Sequence, residues 1–178
     1  MLQNETMLAD STFYLCFLDD IEQPEVLKRL LDGFTFLMTP IVYNEVSKSR
    51  NFKHIKLNPK IVLVRRENLG EALRPFFSRK EIEKGETEVI ELAYQFYADN
   101  DPKVFIMDEE GPRFFVFRNL PYLARLMIGT VGFVGKCYYK YAILGKSEAS
   151  TIVLVISKSK FRVSAEVISE VLSKIENR

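Results

Sequence analysis

Short apolar runs recur along the chain and are separated by longer stretches with helical periodicity. The clearest run is residues 104–107, four consecutive apolar positions followed at once by three carboxylates, Gly111 and Pro112. Such a run, bounded by turn residues, is typical of a strand buried on both faces, as in parallel sheets covered by helices. Four further runs predict strands in the same way: residues 6–9, 34–38, 61–64 and 126–128.

Helix signals fall between these runs. Residues 10–12, Asp-Ser-Thr, precede an apolar stretch, and residues 39–40, Thr-Pro, supply an N-cap and a proline in the first helical position. Residues 84–99 place apolar side chains at a spacing near 3.6 and predict an amphipathic helix. Further helices are predicted at residues 13–18, 24–31, 113–118 and 164–175, and from Val131 to an end at Gly145, whereas residues 152–156 fit a helix or a strand.

The alternation of strands and helices predicts an α/β fold, a three-layer α/β/α arrangement with a central parallel sheet. A length of 178 residues suits one domain with a sizeable core. We therefore expect a single domain over residues 1–178, in which residues 145–178 form a C-terminal helical extension.

Composition and charge narrow the class of protein. The formal net charge is +1, so no overall field indicates nucleic acid or a membrane. The two cysteines lie in apolar stretches, which argues against a disulfide framework and indicates a reducing, cytoplasmic environment. The first residues lack the features of a signal peptide, and no apolar run reaches the roughly 18 residues that span a bilayer. We expect no membrane contact.

Carboxylates gather at the predicted carboxyl ends of the strands, the edge at which open α/β sheets bind ligands. Asp10 follows the first strand, Glu45 lies in the helix after the second, and Asp108 and Glu109 follow the central strand. Glu86 lies at the start of the long helix, on its inward side. Because these residues come from four separate segments, they indicate a shared site.

Each of these carboxylates also has a structural interpretation. Asp10 fits an N-cap and Glu45 fits a solvated edge, while Glu86 and Glu88 both fit acidic residues in the first turn of a helix. Helix phase favours Glu86 over Glu88 as a functional residue, because Glu88 falls toward the flank.

A cation would explain such a cluster, because neighbouring carboxylates raise one another's pKa unless positive charge neutralises them. Oxygen ligands without a histidine or cysteine cluster favour Mg²⁺ or Mn²⁺, and His54 is the only histidine of the sequence. Such ions typically serve phosphoryl chemistry, in which they activate water.

Basic residues are available for a phosphate backbone. Lys48, Arg50 and Lys53 form a basic stretch, and Arg113 follows the acidic segment after the central strand. We expect these four side chains to line the approach to the acidic residues and to bind nucleic acid. A solvated, charged loop is the alternative interpretation of the basic stretch.

Five segments together carry a family resemblance: residues 10–12 (Asp-Ser-Thr), 40–45 (Pro-Ile-Val-Tyr-Asn-Glu), 85–93 (Gly-Glu-Thr-Glu-Val-Ile-Glu-Leu-Ala), 107–113 (Met-Asp-Glu-Glu-Gly-Pro-Arg) and 128–132 (Ile-Gly-Thr-Val-Gly). In this order and spacing the chain resembles the PIN domain family. The branch it resembles is prokaryotic and VapC-like, with members described as nucleic-acid-binding proteins. The resemblance covers nearly the whole chain, including the C-terminal helices.

The resemblance implies a metal-dependent endoribonuclease that hydrolyses phosphodiester bonds of single-stranded RNA. Asp10, Glu45, Glu86 and Asp108 would be the catalytic, metal-holding carboxylates, and Thr12, Arg113 and Thr130 would support them. The implied biological role is the toxin of a toxin–antitoxin pair or a housekeeping RNA-processing enzyme. The implied partners are single-stranded RNA, an antitoxin protein and a second copy of the chain in a homodimer.

The chain departs from the family pattern at two places. Relatives often have two aspartates where this chain has Asp108 and Glu109, so either can be the metal ligand, as can Glu86 or Glu88 on the long helix. Pro112 stands where a helix former is usual, which predicts a late start of the next helix. A non-catalytic nucleic-acid-binding or protein-interaction module is the alternative function, although such a module has no need of clustered carboxylates.

Overall fold

The computed structural model describes residues 5–64, 69, 73–76 and 84–178. Its centre is a five-stranded sheet in the order β3-β2-β1-β4-β5, in which all neighbouring strands are parallel. The strands are β1 (Thr6–Ala9), β2 (Thr35–Met38), β3 (Ile61–Leu63), β4 (Val104–Ile106) and β5 (Met127–Ile128). The five predicted strands are confirmed, and their carboxyl ends share one edge of the sheet.

Nine α-helices flank the sheet in the described part of the chain, which confirms the three-layer α/β/α architecture. They are α1 (Ser11–Leu15), α2 (Pro24–Gly33), α3 (Pro40–Val46), α4 (Lys84–Ala98), α5 (Glu110–Asn119), α6 (Pro121–Ala124), α7 (Thr130–Tyr139), α8 (Lys146–Lys158) and α9 (Ala165–Glu176). A π-helical segment, Cys16–Asp20, continues α1, and a 3-10 helix, Arg50–His54, follows α3.

The central strands are buried on both faces, as their continuous apolar sequences predict. Residues 7–9 of β1 and residues 105–106 of β4 have no exposed surface. The edge strands are more accessible, and Val62 of β3 is exposed. Burial therefore follows the position of a strand in the sheet, with β1 at the centre, because the run at residues 61–64 is as apolar as the run at residues 104–107.

The hydrogen-bond ladder continues beyond the carboxyl ends of β1 and β4. The N–H of Asp10 donates to the carbonyl of Ile106 at 3.1 Å, and the N–H of Met107 donates to the carbonyl of Ile128 at 2.9 Å. The backbone that carries the predicted acidic residues is thus tied to the sheet on both sides.

An aromatic cluster holds α1 against the sheet. Phe13 of α1 stacks on Phe36 of β2 with ring centroids 5.4 Å apart, and it meets Phe17 and Phe133 edge to face at 5.5 and 5.7 Å. Ring contacts of this kind add to the burial energy of large apolar side chains. Because Phe13 lies three residues after Asp10, its packing also fixes the turn that presents Asp10.

Helices α8 and α9 pack against α7 and against each other. Residues 152–156, whose sequence fits a helix or a strand, belong to α8, and their apolar side chains at 152, 153 and 156 are buried. We predicted that Gly145 ends α7, but α7 already ends at Tyr139. Gly145 is instead the N-cap residue of α8. No helix among the described residues is long and apolar enough to cross a membrane.

Two other helices differ from their predictions. Helix α5 starts at Glu110, so the predicted late start is wrong; Pro112 lies in the first turn, where the backbone N–H has no partner within the helix. Helix α4 is present, but residues 85–93 are buried on every side rather than along one stripe. The amphipathic prediction therefore fails for the first half of α4, which includes Glu86 and Glu88.

Candidate functional site

Asp10 lies at the carboxyl end of β1 and caps α1. Its Oδ1 accepts a hydrogen bond of 3.1 Å from the N–H of Phe13, as the Asp-Ser-Thr sequence predicts. The side chain is fully buried, and Oδ2 makes no hydrogen bond. Capping therefore explains one oxygen of this carboxylate and leaves the other without a partner.

Neighbouring carboxylates act on Asp10. Its pKa is raised well above the ordinary value, chiefly by burial and next by the nearby charge of Asp108; Glu86 acts in the same direction. The N–H of Phe13 and the backbone of Asp108 oppose this increase. Three of the four predicted catalytic carboxylates therefore occupy one electrostatic neighbourhood at the sheet edge.

Asp108 is supported by Thr130, the first residue of α7. The N–H of Thr130 donates to Oδ1 at 2.8 Å, and its hydroxyl donates to Oδ2 at 2.5 Å. Burial raises the pKa of Asp108, while these two bonds and the charge of Arg113 hold the increase back. Gly129 permits this approach, because an added Cβ would lie 3.0 Å from Oδ1.

Arg113 reaches back from α5 to the segment that carries Asp108. Its Nη1 donates a hydrogen bond of 2.8 Å to the carbonyl of Met107. Thr12, by contrast, makes no hydrogen bond with Asp10 in the described structure; the bond comes from Phe13 instead. Of the three predicted supporting residues, Arg113 and Thr130 thus contact the segment around Asp108, and Thr12 lies at the surface of the site.

Glu45 and Glu86 are brought together where α3 faces the start of α4. A Cβ on Gly85 would lie 2.9 Å from Oε2 of Glu45, so the Glu45 carboxylate lies directly against the start of α4. Both carboxylates line a cleft of about 570 Å³. We call it the acidic cleft, and its lining also includes Thr12, Asp19, Lys48, Ser49 and Glu109.

Glu88 has a structural partner. Its Oε2 accepts a hydrogen bond of 3.1 Å from the N–H of Ile41, in the first turn of α3. The side chain is almost completely buried and does not line the acidic cleft. This geometry suits a carboxylate that satisfies a helix N-terminus, and it leaves Glu86 as the residue of this pair that lies beside Glu45.

A second cleft, of about 1130 Å³, adjoins the first and shares Thr12 and Glu109 with it. We call it the α5 cleft; it contains Asp108, Arg113 and exposed residues of α5, and the segment before α9 forms part of its lining. Asp108 thus opens into one cleft, while Glu45 and Glu86 open into the other. Glu109 is exposed where the two clefts meet.

The predicted basic residues are more dispersed. Lys48 lines the acidic cleft and Arg113 lines the α5 cleft, whereas Arg50 and Lys53 are exposed but line neither. Sequence reasoning missed four residues of the α5 cleft, which are Phe114, Phe117, Lys160 and Arg162. No periodic signal distinguishes them, because residues 114–117 are all apolar and Lys160 and Arg162 lie between two helices.

The donor chemistry of the site suits a hard divalent cation, because every candidate ligand is a carboxylate oxygen. Asp10 has one buried oxygen without a hydrogen-bond partner, and Asp108 raises its pKa. Across residues 5–64, 69, 73–76 and 84–178, however, no three Asp, Glu, His or Cys side chains form a cluster able to hold a metal ion. Asp10, Asp108 and Glu86 interact electrostatically, and Glu45 lies with Glu86 in the acidic cleft.

A family model described as PIN domain matches residues 7–177, which include every candidate site residue. No curated protein matches the chain, and no solved structure does.

Proposed function

The chain belongs to the PIN domain family, and on this basis we propose that it is a metal-dependent endoribonuclease that cleaves single-stranded RNA. PIN domains are generally nucleases that hydrolyse phosphodiester bonds, and those nucleases typically use divalent metals. The choice of RNA as substrate and of Mg²⁺ or Mn²⁺ as cofactor belongs to our proposal.

The observation that supports this proposal best is the state of Asp10. This carboxylate is fully buried and its Oδ2 has no hydrogen-bond partner, and its pKa is raised chiefly by that burial and further by Asp108 and Glu86. A buried charge without compensation is costly, and a bound cation would supply the compensation. A fold that needed only an N-cap could use a neutral side chain at this position.

The proposed roles follow from the placement of each residue. Asp10 and Asp108 would hold the cation, with Glu45 and Glu86 approaching from the acidic cleft. A bound divalent cation would lower the pKa of a water molecule and stabilise negative charge on phosphate oxygens. Thr130 fixes the orientation of the Asp108 carboxylate through two hydrogen bonds. Glu109 and Glu88 stay as alternative ligands.

Basic residues near the carboxylates would bring the RNA backbone to the site. Lys48 lines the acidic cleft and Arg113 lines the α5 cleft, which suits both for phosphate contacts. Arg50 and Lys53 lie outside both clefts and would bind a more distant part of the strand. Neutralising Lys48, Arg50 and Lys53 together should then flatten the salt dependence of RNA binding, and an unchanged slope would remove them from the RNA path.

As the biological role we propose the toxin of a toxin–antitoxin pair, with an antitoxin protein as partner and a homodimer as the assembly. Expression of the chain should then arrest growth, and Asp108→Asn should relieve the arrest. Cleavage in vitro without growth arrest would favour a housekeeping RNA-processing enzyme instead.

The test of the activity compares wild type with two Asp→Asn variants on a labelled single-stranded RNA, with Mn²⁺, Mg²⁺ or EDTA. We expect cleavage only with metal, and a decrease of at least about 100-fold in Asp108→Asn, since even residues that support metal ligands contribute 10- to 100-fold. Asp101→Asn is the matched control, because Asp101 is exposed at the other end of β4 and pairs with Lys103.

One result would reassign a metal ligand, and two would contradict the proposed activity. Equal cleavage by Asp108→Asn would remove Asp108 from the catalytic set and leave Glu109 as the ligand to test. Cleavage in EDTA would exclude the metal-dependent mechanism. Metal-independent RNA binding by a folded protein that cleaves no RNA would favour the non-catalytic binding module.

A further inference from the structure

Helix α5 carries apolar side chains on two faces, although the fold uses only one. Pro112, Phe115 and Val116 are buried in the core. Phe114 and Phe117 are 63% and 54% exposed, and neither ring contacts another aromatic ring in the described part of the chain. Exposed phenylalanines are unfavourable in water and are common at binding surfaces, so this pair indicates a binding surface.

The two rings line the α5 cleft, and the segment that leads into α9 also lines it. Phe161 of this segment is buried and anchors it to the core, while Arg162 next to it is exposed. The anchoring gives Arg162 a defined backbone position beside the cleft that contains the rings. Val167, in the first turn of α9, completes the apolar part of the lining.

Positive charge accompanies the aromatic rings. Arg162 has no ion-pair partner among the described residues, and Lys160 lies 3.3 Å from Asp20 while most of its surface is exposed. Arg113 lines the same cleft, near Asp108. The cleft therefore joins a ring-and-cation region on α5 and before α9 to the carboxylates at the sheet edge.

We propose that the α5 cleft binds unpaired nucleotides of the RNA, with Phe114 and Phe117 stacking on bases and Lys160 and Arg162 contacting phosphates. Proteins that bind single strands combine aromatic platforms with a basic groove in this way. The proposal rests on the proposed function, because the same strand would continue to Asp108. Stacking on both rings requires unpaired bases, so the cleft would select single strands over duplexes.

The density of charged residues in the cleft, rather than its net charge, favours RNA over a protein partner. The cores of protein–protein interfaces are depleted of charged residues, whereas this cleft places charged side chains of both signs beside the rings: Arg113, Lys160, Arg162, Asp20, Asp108, Glu109 and Glu110. A phosphate backbone next to unpaired bases matches both components.

The experiment measures binding of a fluorescein-labelled single-stranded RNA by anisotropy in EDTA, so that cleavage does not interfere. Phe114→Ala/Phe117→Ala should weaken binding by about 25-fold or more, since stacking on one ring contributes roughly 5- to 150-fold and the variant removes two rings. Leu57→Ala/Leu154→Ala is the matched control, because both leucines are exposed and line neither cleft. A duplex of the same sequence should bind more weakly and respond little to the phenylalanine substitutions.

Salt dependence separates the two kinds of interaction. Lys160→Ala/Arg162→Ala should lower the slope of log K against log salt, by about 0.7 for each phosphate of a single strand that the variant no longer neutralises. The phenylalanine variant should weaken binding without changing that slope, and in the cleavage assay it should raise KM more than it lowers kcat.

Unchanged RNA affinity in the phenylalanine variant would overturn the inference. A change of oligomeric state by light scattering, with RNA affinity unchanged, would assign the rings to a protein interface. If wild type and the phenylalanine variant cleave RNA equally well, the stacking site is refuted but the proposed nuclease activity is not. Ring-dependent binding without any cleavage supports the stacking site and refutes the nuclease.

Discussion

The ends of β1 and β4 lie side by side, yet the carboxylates that follow them, Asp10 and Asp108, differ in their hydrogen-bond donors. Asp108 accepts hydrogen bonds from Thr130 on both oxygens, and these bonds keep its pKa from rising further. Asp10 accepts one bond from the N–H of Phe13, the backbone of Asp108 also favours its charged form, and its Oδ2 is buried without a hydrogen-bond partner. Both oxygens of Asp108 thus have donors, whereas one oxygen of Asp10 has none.

This difference assigns separate tasks to the two residues. Asp108 is oriented before any ligand arrives, so its contribution to the site is geometric. Asp10 destabilises the protein while it is charged, so its contribution depends on what neutralises it. If a cation binds, the free energy released at Asp10 adds to the affinity.

The largest effect is expected for Asp10→Asn. Asparagine keeps the N-cap acceptor but removes the buried charge, so cleavage should fall at least about 100-fold while the metal-free protein gains about 1–3 kcal/mol of stability. Thermal unfolding in EDTA measures the second effect. Asp10→Ala is the control, since it also removes the cap and should lose about 1 kcal/mol relative to Asn. A metal-free Asp10→Asn that is less stable than wild type would break the comparison.

Thr130→Val should give the next largest effect. Valine is close in volume but cannot donate to Oδ2 of Asp108, so the carboxylate keeps only the backbone bond to Oδ1, is oriented less well, and its pKa rises. Metal affinity and cleavage should fall by about 10- to 100-fold. Thr130→Ser keeps the hydroxyl and should stay near wild type in a Mn²⁺ titration. Equal losses in both variants would indicate packing rather than the hydrogen bond.

The pH dependence of stability sharpens the comparison. The folded-state pKa of Asp10 is raised, so its stabilising contribution is complete below the unfolded pKa near 3.8 and is lost as pH rises through the folded pKa. In EDTA, the melting temperature of Asp10→Asn minus that of wild type should therefore grow from pH 4 toward pH 8. A flat difference would show that Asp10 is charged at little cost.

The smallest effect is expected for Glu88→Gln. Glutamine can still accept the bond from the N–H of Ile41 but loses the charge at the N-terminus of α3, which should cost about 0.3–1 kcal/mol. Cleavage should change little, whereas Glu86→Gln should lose most of it. Loss of cleavage with Glu88→Gln and retention with Glu86→Gln would reverse our preferred assignment.

The sheet could be predicted from the sequence because parallel strands buried on both faces consist of continuous apolar residues. The same alternation of strands and helices predicts that Asp10 and Asp108 share one edge. The predicted start of α5 is too late, because Pro112 lies in the first turn of the helix. Proline breaks a helix in its interior, but in the first turn the N–H that it lacks would have no hydrogen-bond partner within the helix.

Long-range partners are beyond prediction from the pattern. Thr130 is expected as a supporting residue only through the family resemblance, since nothing local to Asp108 identifies a donor 22 positions away. Helix phase places Glu88 on a flank of α4. Its hydrogen-bond donor, the N–H of Ile41 at the N-terminus of α3, is 47 positions away in the sequence. Residues 114–117 are all apolar, so the sequence does not show that Phe114 and Phe117 are exposed while Phe115 and Val116 are buried.

The hydrogen bonds that extend the ladder past β1 and β4 have a consequence for mutational tolerance. The N–H of Asp10 donates to the carbonyl of Ile106, and this bond sets the offset between Asp10 and Asp108 along the strands. The N–H of Met107 donates to the carbonyl of Ile128 in the same way. These are main-chain atoms, which no ordinary substitution removes. A slip of one residue would displace a carboxylate by about 3.3 Å and turn it to the opposite face. The spacing of the two charges is therefore set by the strand register. Exchange of one apolar core side chain for another would not alter it.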